Sequence, residues 1–141
     1  MAETKYGKYF NRKPFKQPRN PQVIQSMVHL NGEKDGEGAD ITISVSFITQ
    51  PFRMIKEPHK HDRDQFIMFM GNNPEDVNEF GAEIEMTLGS EGEKHIINGP
   101  TVLHIPKGLI HGPLDHKKID KPIRMVDIYL GPVYVRKAPD E

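Results

Sequence analysis

Cysteine is absent from the 141 residues, and that one absence removes disulfides, thiolate metal sites and cysteine nucleophiles together. Any metal must be held by nitrogen and oxygen. Tryptophan is missing too, and nowhere do eighteen apolar residues run together as a spanning helix would need. The first twenty residues, MAETKYGKYFNRKPFKQPRN, contain no continuous apolar segment of the kind a secretory signal carries. A soluble, cytoplasmic protein with no membrane partner is expected. Charge of one sign is also lacking: 19 basic and 20 acidic side chains leave a formal charge of −1, which gives no field to draw in a polyanion. No nucleic-acid partner is expected. The chain has no phosphate loop, no dinucleotide fingerprint and no Gly-x-Ser-x-Gly, and no histidine neighbours Ser26, Ser46 or Ser90 in sequence. No organic cofactor or nucleophile is indicated, and the catalytic residues stay unassigned.

What is present favours one domain of short strands. The length suits a single core, and 12 glycines with 12 prolines punctuate the chain too often for long helices. In ITISVSF (41–47), Ile41, Ile43, Val45 and Phe47 alternate with Thr42, Ser44 and Ser46, the period-two pattern of a strand with one dry face. EIEMTL (83–88) alternates likewise. FIMFM (66–70) is apolar on both faces, so both should be covered, one by a barrel interior and the other by another layer or another chain. This is the main reason for expecting a homodimer. Further strands are expected over 23–30, in HIING (95–99) and TVLHIP (101–106), and over 123–130. NNPEDVNEFG (72–81) reads as a loop with one helical turn, capped by Asn73 and opened by Pro74, that could act as a lid. Seven or eight short strands make a sandwich or barrel.

The expected organisation is an N-terminal arm over 1–22, a barrel over 23–135 and a tail over 136–141. The arm leans basic, with Lys5, Lys8, Arg12, Lys13, Lys16 and Arg19 among Tyr6, Tyr9, Phe10 and Phe15. It either packs those aromatics on the barrel or a second subunit, or forms a binding patch.

Seven histidines carry most of the chemical interest. In EPHKHDRDQF (57–66), His59 and His61 are two apart, so an extended chain places both rings on one side, and Gln65 shares their parity. Alone, a His-x-His pair is as readily two exposed strand residues. In IPKGLIHGPL (105–114), Pro106 closes a strand, Gly108 makes a tight turn and His111 returns toward the inside. His104 reads as a strand residue with a hydrogen-bond partner, and His29, His95 and His116 read as ordinary. Asp62 and Asp64 either hold a turn or orient a ligand histidine.

HKHDRDQFIMFMG followed by PKGLIH resembles the two signature motifs of the cupin superfamily. His59, His61 and Gly71 match the first, and Pro106, Gly108 and His111 match the second. The resemblance spans residues 41–130. It implies an all-β double-stranded β-helix, a jelly roll, with one divalent metal (Fe, Mn, Ni, Cu or Zn) inside the barrel on His59, His61, Gln65 and His111. It departs from the family pattern at Gln65, where glutamate is usual. A neutral donor set leaves the full +2 on the ion, weakening its retention and strengthening its attraction for an anionic ligand. Either such a ligand completes the site, or Gln65 marks a vestige. Glu83 or Glu85 could supply the missing charge only by turning inward. The resemblance implies an enzyme acting on a small oxygen-rich or acidic metabolite, by dioxygenase-type or Lewis-acid isomerase, cyclase or lyase chemistry. The alternative is a non-catalytic module that binds or senses a small ligand.

Overall fold

Ten strands are found among the described residues. The computed structural model describes residues 4–141. In chain order come β1 (Phe15–Lys16), β2 (Met27–Asn31), β3 (Thr42–Ile48), β4 (Phe52–Ile55) and β5 (Gln65–Met70). They are followed by β6 (Ala82–Leu88), β7 (Glu93–Ile97), β8 (Thr101–Ile105), β9 (His111–Ile119) and β10 (Ile123–Tyr129). Helix is confined, among the described residues, to a 3-10 turn at Gly7–Tyr9 and one turn, α1 (Gly32–Asp35). Asn31 caps α1 by accepting from the Lys34 N–H at 3.1 Å. None is long and apolar enough to cross a membrane. One antiparallel sheet runs β1-β2-β3-β10-β5-β8 and the other β4-β9-β6-β7, the two-layer jelly roll.

The expectation that Ile41, Ile43, Val45 and Phe47 form the core side of β3 is overturned. Thr42, Ser46 and Ile48 are the buried residues of that strand, while Phe47 is exposed and Ile43 and Val45 are half-buried. The neighbouring β10 decides the orientation. Its Ile123, Met125 and Tyr129 face inward and pair with Ile48, Ser46 and Thr42 in register, so the hydroxyl parity of β3 must share that face. The interior is therefore graded. At one end Ile48, Phe69, Ile84, Leu114 and Ile123 are completely buried, each contributing about 1.5–3 kcal/mol by leaving water. At the other end the inward side chains are Thr42, Ser44, Gln65 and Asp127. In β5 Gln65, Ile67 and Phe69 are buried, and Phe66, Met68 and Met70 lie half-buried on the outer face.

Other expectations need correction. Residues 72–81 form turns without a helical turn, and Asn73 Oδ1 accepts from the Glu75 N–H at 2.9 Å instead of capping a helix. That loop leaves the Met70 end of β5, about 17 Å along the strand from Gln65, so it is no lid for the histidines. It is tied down where it stands by Glu79, which pairs with Lys121 at 2.7 Å. Gly71, at its start, has no room for a side chain: a Cβ would meet the Glu79 carbonyl oxygen at 2.1 Å. The arm's Tyr6, Tyr9, Phe10 and Phe15 are all exposed, not packed on the barrel, with cations lying over the first three. Residues 1–3 of the arm lie outside the described residues.

His116 is no loop residue. It sits in β9 with Leu114, inward, only 1% exposed, its ring stacked on Phe52 at 5.2 Å with neither nitrogen hydrogen-bonded. Burial pushes its pKa down to about 4. Above pH 6.5 the ring is neutral folded or unfolded; as pH falls from 6.5 toward 4 only the unfolded chain takes up the proton, so stability is lost across that window. The depression is worth about 3 kcal/mol. His116→Phe therefore stabilises the metal-free protein at neutral pH by about 1–3 kcal/mol, by removing unpaired buried polar atoms. It also removes about 3 kcal/mol of the loss between pH 7 and pH 4. Urea unfolding of both proteins at the two pH values measures this, and equal acid losses would refute it.

Candidate metal centre

Two pieces of chain fifty residues apart are joined by backbone before any side chain is considered. The His59 N–H donates to the His111 carbonyl and the His111 N–H to the His59 carbonyl, both at 2.9 Å, an isolated antiparallel bridge. Two residues on, the Gly108 N–H donates to the His61 carbonyl at 2.8 Å. Gly108 has φ +83°, which an L side chain rarely adopts, and Leu109 closes the turn on Pro106 at 3.1 Å. The Pro-x-Gly-x-x-His turn thus folds His111 back onto His59, as its sequence predicts.

The rings meet. Centroid separations are 4.9 Å between His59 and His61, 4.4 Å between His59 and His111, and 5.0 Å between His61 and His111. All three side chains are buried, and one ring nitrogen of each lies within 4.8 Å of the others. Each Nδ1 faces a backbone carbonyl: Leu109 at 2.9 Å from His111, Val135 at 2.5 Å from His61, and Glu57 at a long 3.4 Å from His59. A ring whose Nδ1–H donates to a carbonyl presents a bare lone pair at Nε2. All three Nε2 atoms are buried without a partner. Burial is also the largest cause depressing all three pKa values, to about 3 for His59 and about 4 for His111, with Arg136 lowering each further. Neutral imidazoles converging on one point by unpartnered nitrogens are what a metal ion requires, so the residues fit one.

Gln65 lies on the same side, 2% exposed, across the ladder from Tyr129 and Ile105. Its Nε2 donates to Asp127 Oδ1 at 2.8 Å, and its Oε1 is buried without a partner. Asp127 gives the amide its direction: a carboxylate only accepts, so the NH2 must turn to it and the oxygen away. Burial raises the Asp127 pKa to about 6, and the Gln65 hydrogen bond lowers it in part. Glu83 and Glu85 bring no charge inward. Glu83 is exposed, and Glu85 bonds Lys117 at 2.9 Å with Lys94 at 3.8 Å.

The aspartates of the first motif serve turns. Asp64 accepts from the Lys107 N–H at 3.0 Å and from His104 Nε2 at 2.9 Å, so His104 has the partner expected of it, and Asp62 pairs with Lys137. The C-terminal segment does what they do not: Lys60 and Lys137 form a second bridge, which lays the Val135 carbonyl on His61. Tyr134 follows it in, its ring 4.9 Å from that of His61 and 5.1 Å from that of Tyr129.

Behind this wall lies a cavity of about 410 Å³. Ser44, Ser46, His29, Asn31, Asp127 and Tyr134 supply its polar lining, with Lys16, Arg19 and Arg136 adding positive charge. His29, expected to be ordinary, belongs to it, its Nδ1 sharing a hydrogen bond with Ser44 Oγ at 2.9 Å. The three ligand-like histidines are not on its surface. Tyr129 and Tyr134 stand between, each lining the cavity and touching the His61 ring.

The fold is a double-stranded β-helix, and inside it three inward histidines are grouped so that they could hold one metal ion. Solved structures of the same architecture include an oxalate decarboxylase at TM-score 0.57 and 13% identity, over 87% of this chain and 30% of that one. An oxalate oxidase matches at 0.54 and 14%, over 85% and 57%. A Bacillus subtilis oxalate decarboxylase described for its Mn(II) centres matches at 0.53 and 13%, over 83% and 29%. The chain thus spans between about a third and three fifths of the lengths of these proteins. No protein-family model and no curated protein sequence matches it.

Proposed function

We propose that the chain is a metal-dependent enzyme that holds one divalent ion on His59, His61 and His111 Nε2 and Gln65 Oε1, and acts on a small oxygen-rich acid. The observation that carries this reading is the set of four buried, unpartnered donor atoms, three of them on rings already fixed from behind. Bound there, the ion would polarise a carbonyl or carboxylate and stabilise the negative charge developing on it. The protein's own part is positional. Asp127 aims the Gln65 oxygen and supplies, one residue removed, the negative charge that a directly ligating glutamate would bring. Lys16, Arg19 and Arg136 favour an anion in the cavity, and the inward hydroxyls of β3 with His29 suit a ligand bearing hydroxyl groups. The volume falls at the low end of the roughly 300–1,000 Å³ of small-molecule sites and exceeds what a two-carbon diacid fills. A larger hydroxy acid is the better fit to the cavity, and reaching the ion from there requires Tyr129 or Tyr134 to move aside.

The test is a panel of hydroxy and dicarboxylic acids offered to the metal-loaded and the chelator-treated protein, read by thermal shift and then by NMR for turnover. Acids that stabilise the loaded form alone, at least one of them converted, support the enzyme. Equal binding to both forms without conversion would make the protein a binding module, and consumption of dioxygen would move it to the oxygenases.

A further inference from the structure

The two tyrosines that separate the cavity from the three rings are held very differently. Tyr129 ends β10, a central strand, in register with Thr42 on one side and Gln65 on the other, and it is 3% exposed. Tyr134 belongs to no strand and is only half-buried, in a segment tied at its two ends. At the first end the Leu130 N–H donates to the Asp64 carbonyl at 3.0 Å, the Thr42 hydroxyl to the Gly131 carbonyl at 2.9 Å and the Glu33 N–H to the Pro132 carbonyl at 3.1 Å. At the second, Lys60 and Lys137 exchange two backbone hydrogen bonds of 2.9 Å, and the Lys137 ammonium pairs with Asp62. Between these ties the N–H groups of Val133, Tyr134, Val135 and Arg136 make no backbone hydrogen bond among the described residues. A segment with so few ties of its own opens at low cost. Yet Val133, Tyr134 and Arg136 line the cavity, Tyr134 packs on His61, and the Val135 carbonyl faces His61 Nδ1.

On the reading of the three rings as ligands of one ion, we propose that Tyr134 is the gate between cavity and ion, and that residues 133–137 are the strap that moves it. All three Nε2 atoms are buried and none of the rings lines the cavity, so whatever comes from the cavity passes only where a dividing tyrosine leaves. Moving Tyr129 breaks pairing on both sides of a central strand. Moving Tyr134 breaks one isolated bridge and one ion pair whose partners are both open to water, so the strap is the part that yields. The same displacement carries the Val135 carbonyl off His61 Nδ1. Contacts of that kind are worth about 10–100-fold in metal affinity, so opening loosens the hold on the ion as it clears the path, and closing restores both. The Lys60 and Lys137 bridge is the latch.

The chain has no cysteine, so Lys60→Cys with Lys137→Cys places a single disulfide across the latch. An antiparallel pair that exchanges two hydrogen bonds stands about 5.5 Å apart between Cα atoms, within disulfide reach. Mn(II), which thiolates bind poorly, is the probe, its uptake by the chelator-treated chain followed through the loss of the free-ion electron paramagnetic resonance signal. Uptake should slow at least about 10-fold in the oxidised variant and recover once the disulfide is reduced. Tyr134→Ala should speed uptake and make it indifferent to the disulfide, a pattern that a merely structural tyrosine does not produce. Labelling of His59, His61 and His111 by diethyl pyrocarbonate, located by mass spectrometry in the chelator-treated chain, reports the same opening without any ion. Labelling suppressed by the disulfide in a chain that takes up no Mn(II) would support the strap and remove the metal. Labelling and uptake equally fast with the latch locked, or Tyr134→Ala as slow as the wild type, would overturn the proposal.

Discussion

His61→Ala leaves a protein that no longer retains metal. The ring is one of three that converge, it is 2% exposed, and its Nδ1 is fixed on the Val135 carbonyl, so the substitution removes a donor already aimed at the common point. Groups that merely orient a ligating histidine are worth about 10–100-fold in affinity, so loss of the ligand itself should exceed about 100-fold. Chelator competition on matched samples measures it. The substitution also opens space between Tyr129 and Tyr134 and strands the Val135 carbonyl, so His61→Gln is the companion variant: it keeps bulk and a polar tip while removing the imidazole. Unchanged metal occupancy in both variants, with circular dichroism showing the barrel intact, would show that the ion is held elsewhere.

Gln65→Glu has two opposed effects that Asp127 makes separable. With metal bound, a carboxylate in place of the amide oxygen lowers the net charge of the site and tightens retention, while weakening the hold on an anionic ligand. Without metal, the substitution removes the donor that Asp127 accepts from at 2.8 Å and sets a second carboxylate against one whose pKa burial has already raised to about 6. Two carboxylates that close cannot both ionise freely, and the lost hydrogen bond to a charged group is worth about 1.5–3 kcal/mol. The chelator-treated variant should therefore unfold more easily by about that amount. Adding Asp127→Asn should restore most of it, the coupling being the mark of a direct contact. A metal-free Gln65→Glu protein as stable as the wild type, or one that loses metal faster, would contradict this account of why glutamine stands here.

The two histidine motifs were legible because each is a local instruction. Parity fixes His59, His61 and Gln65 on one side, and the Pro106 and Gly108 turn needs only backbone geometry to return His111. β3 misled because alternation names two faces without saying which is inside. A barrel that keeps polar side chains within for a cavity, and apolar ones outside, reverses the usual assignment. Asp127 was visible in principle: it shares the parity of Ile123, Met125 and Tyr129 in an otherwise apolar strand, and a carboxylate there demands a partner. His116 shares the parity of Leu114 within β9, but Asp115, Lys117 and Lys118 around it give the segment a polar, loop-like sequence that concealed the strand. The carbonyl of Val135 could not be read at all, since a backbone acceptor has no residue type to announce it and arrives through a pairing 74 residues away.

Titration of the chelator-treated protein with Co(II), followed by its visible absorption, tests the central claim most directly, because the bands report both the number of ions bound and the nitrogen and oxygen atoms around them. One equivalent should bind saturably to the wild type, and the spectrum should vanish when His59, His61 and His111 are replaced together. No saturable binding, or the same spectrum from the triple variant, would contradict a metal centre at the meeting point of these three rings.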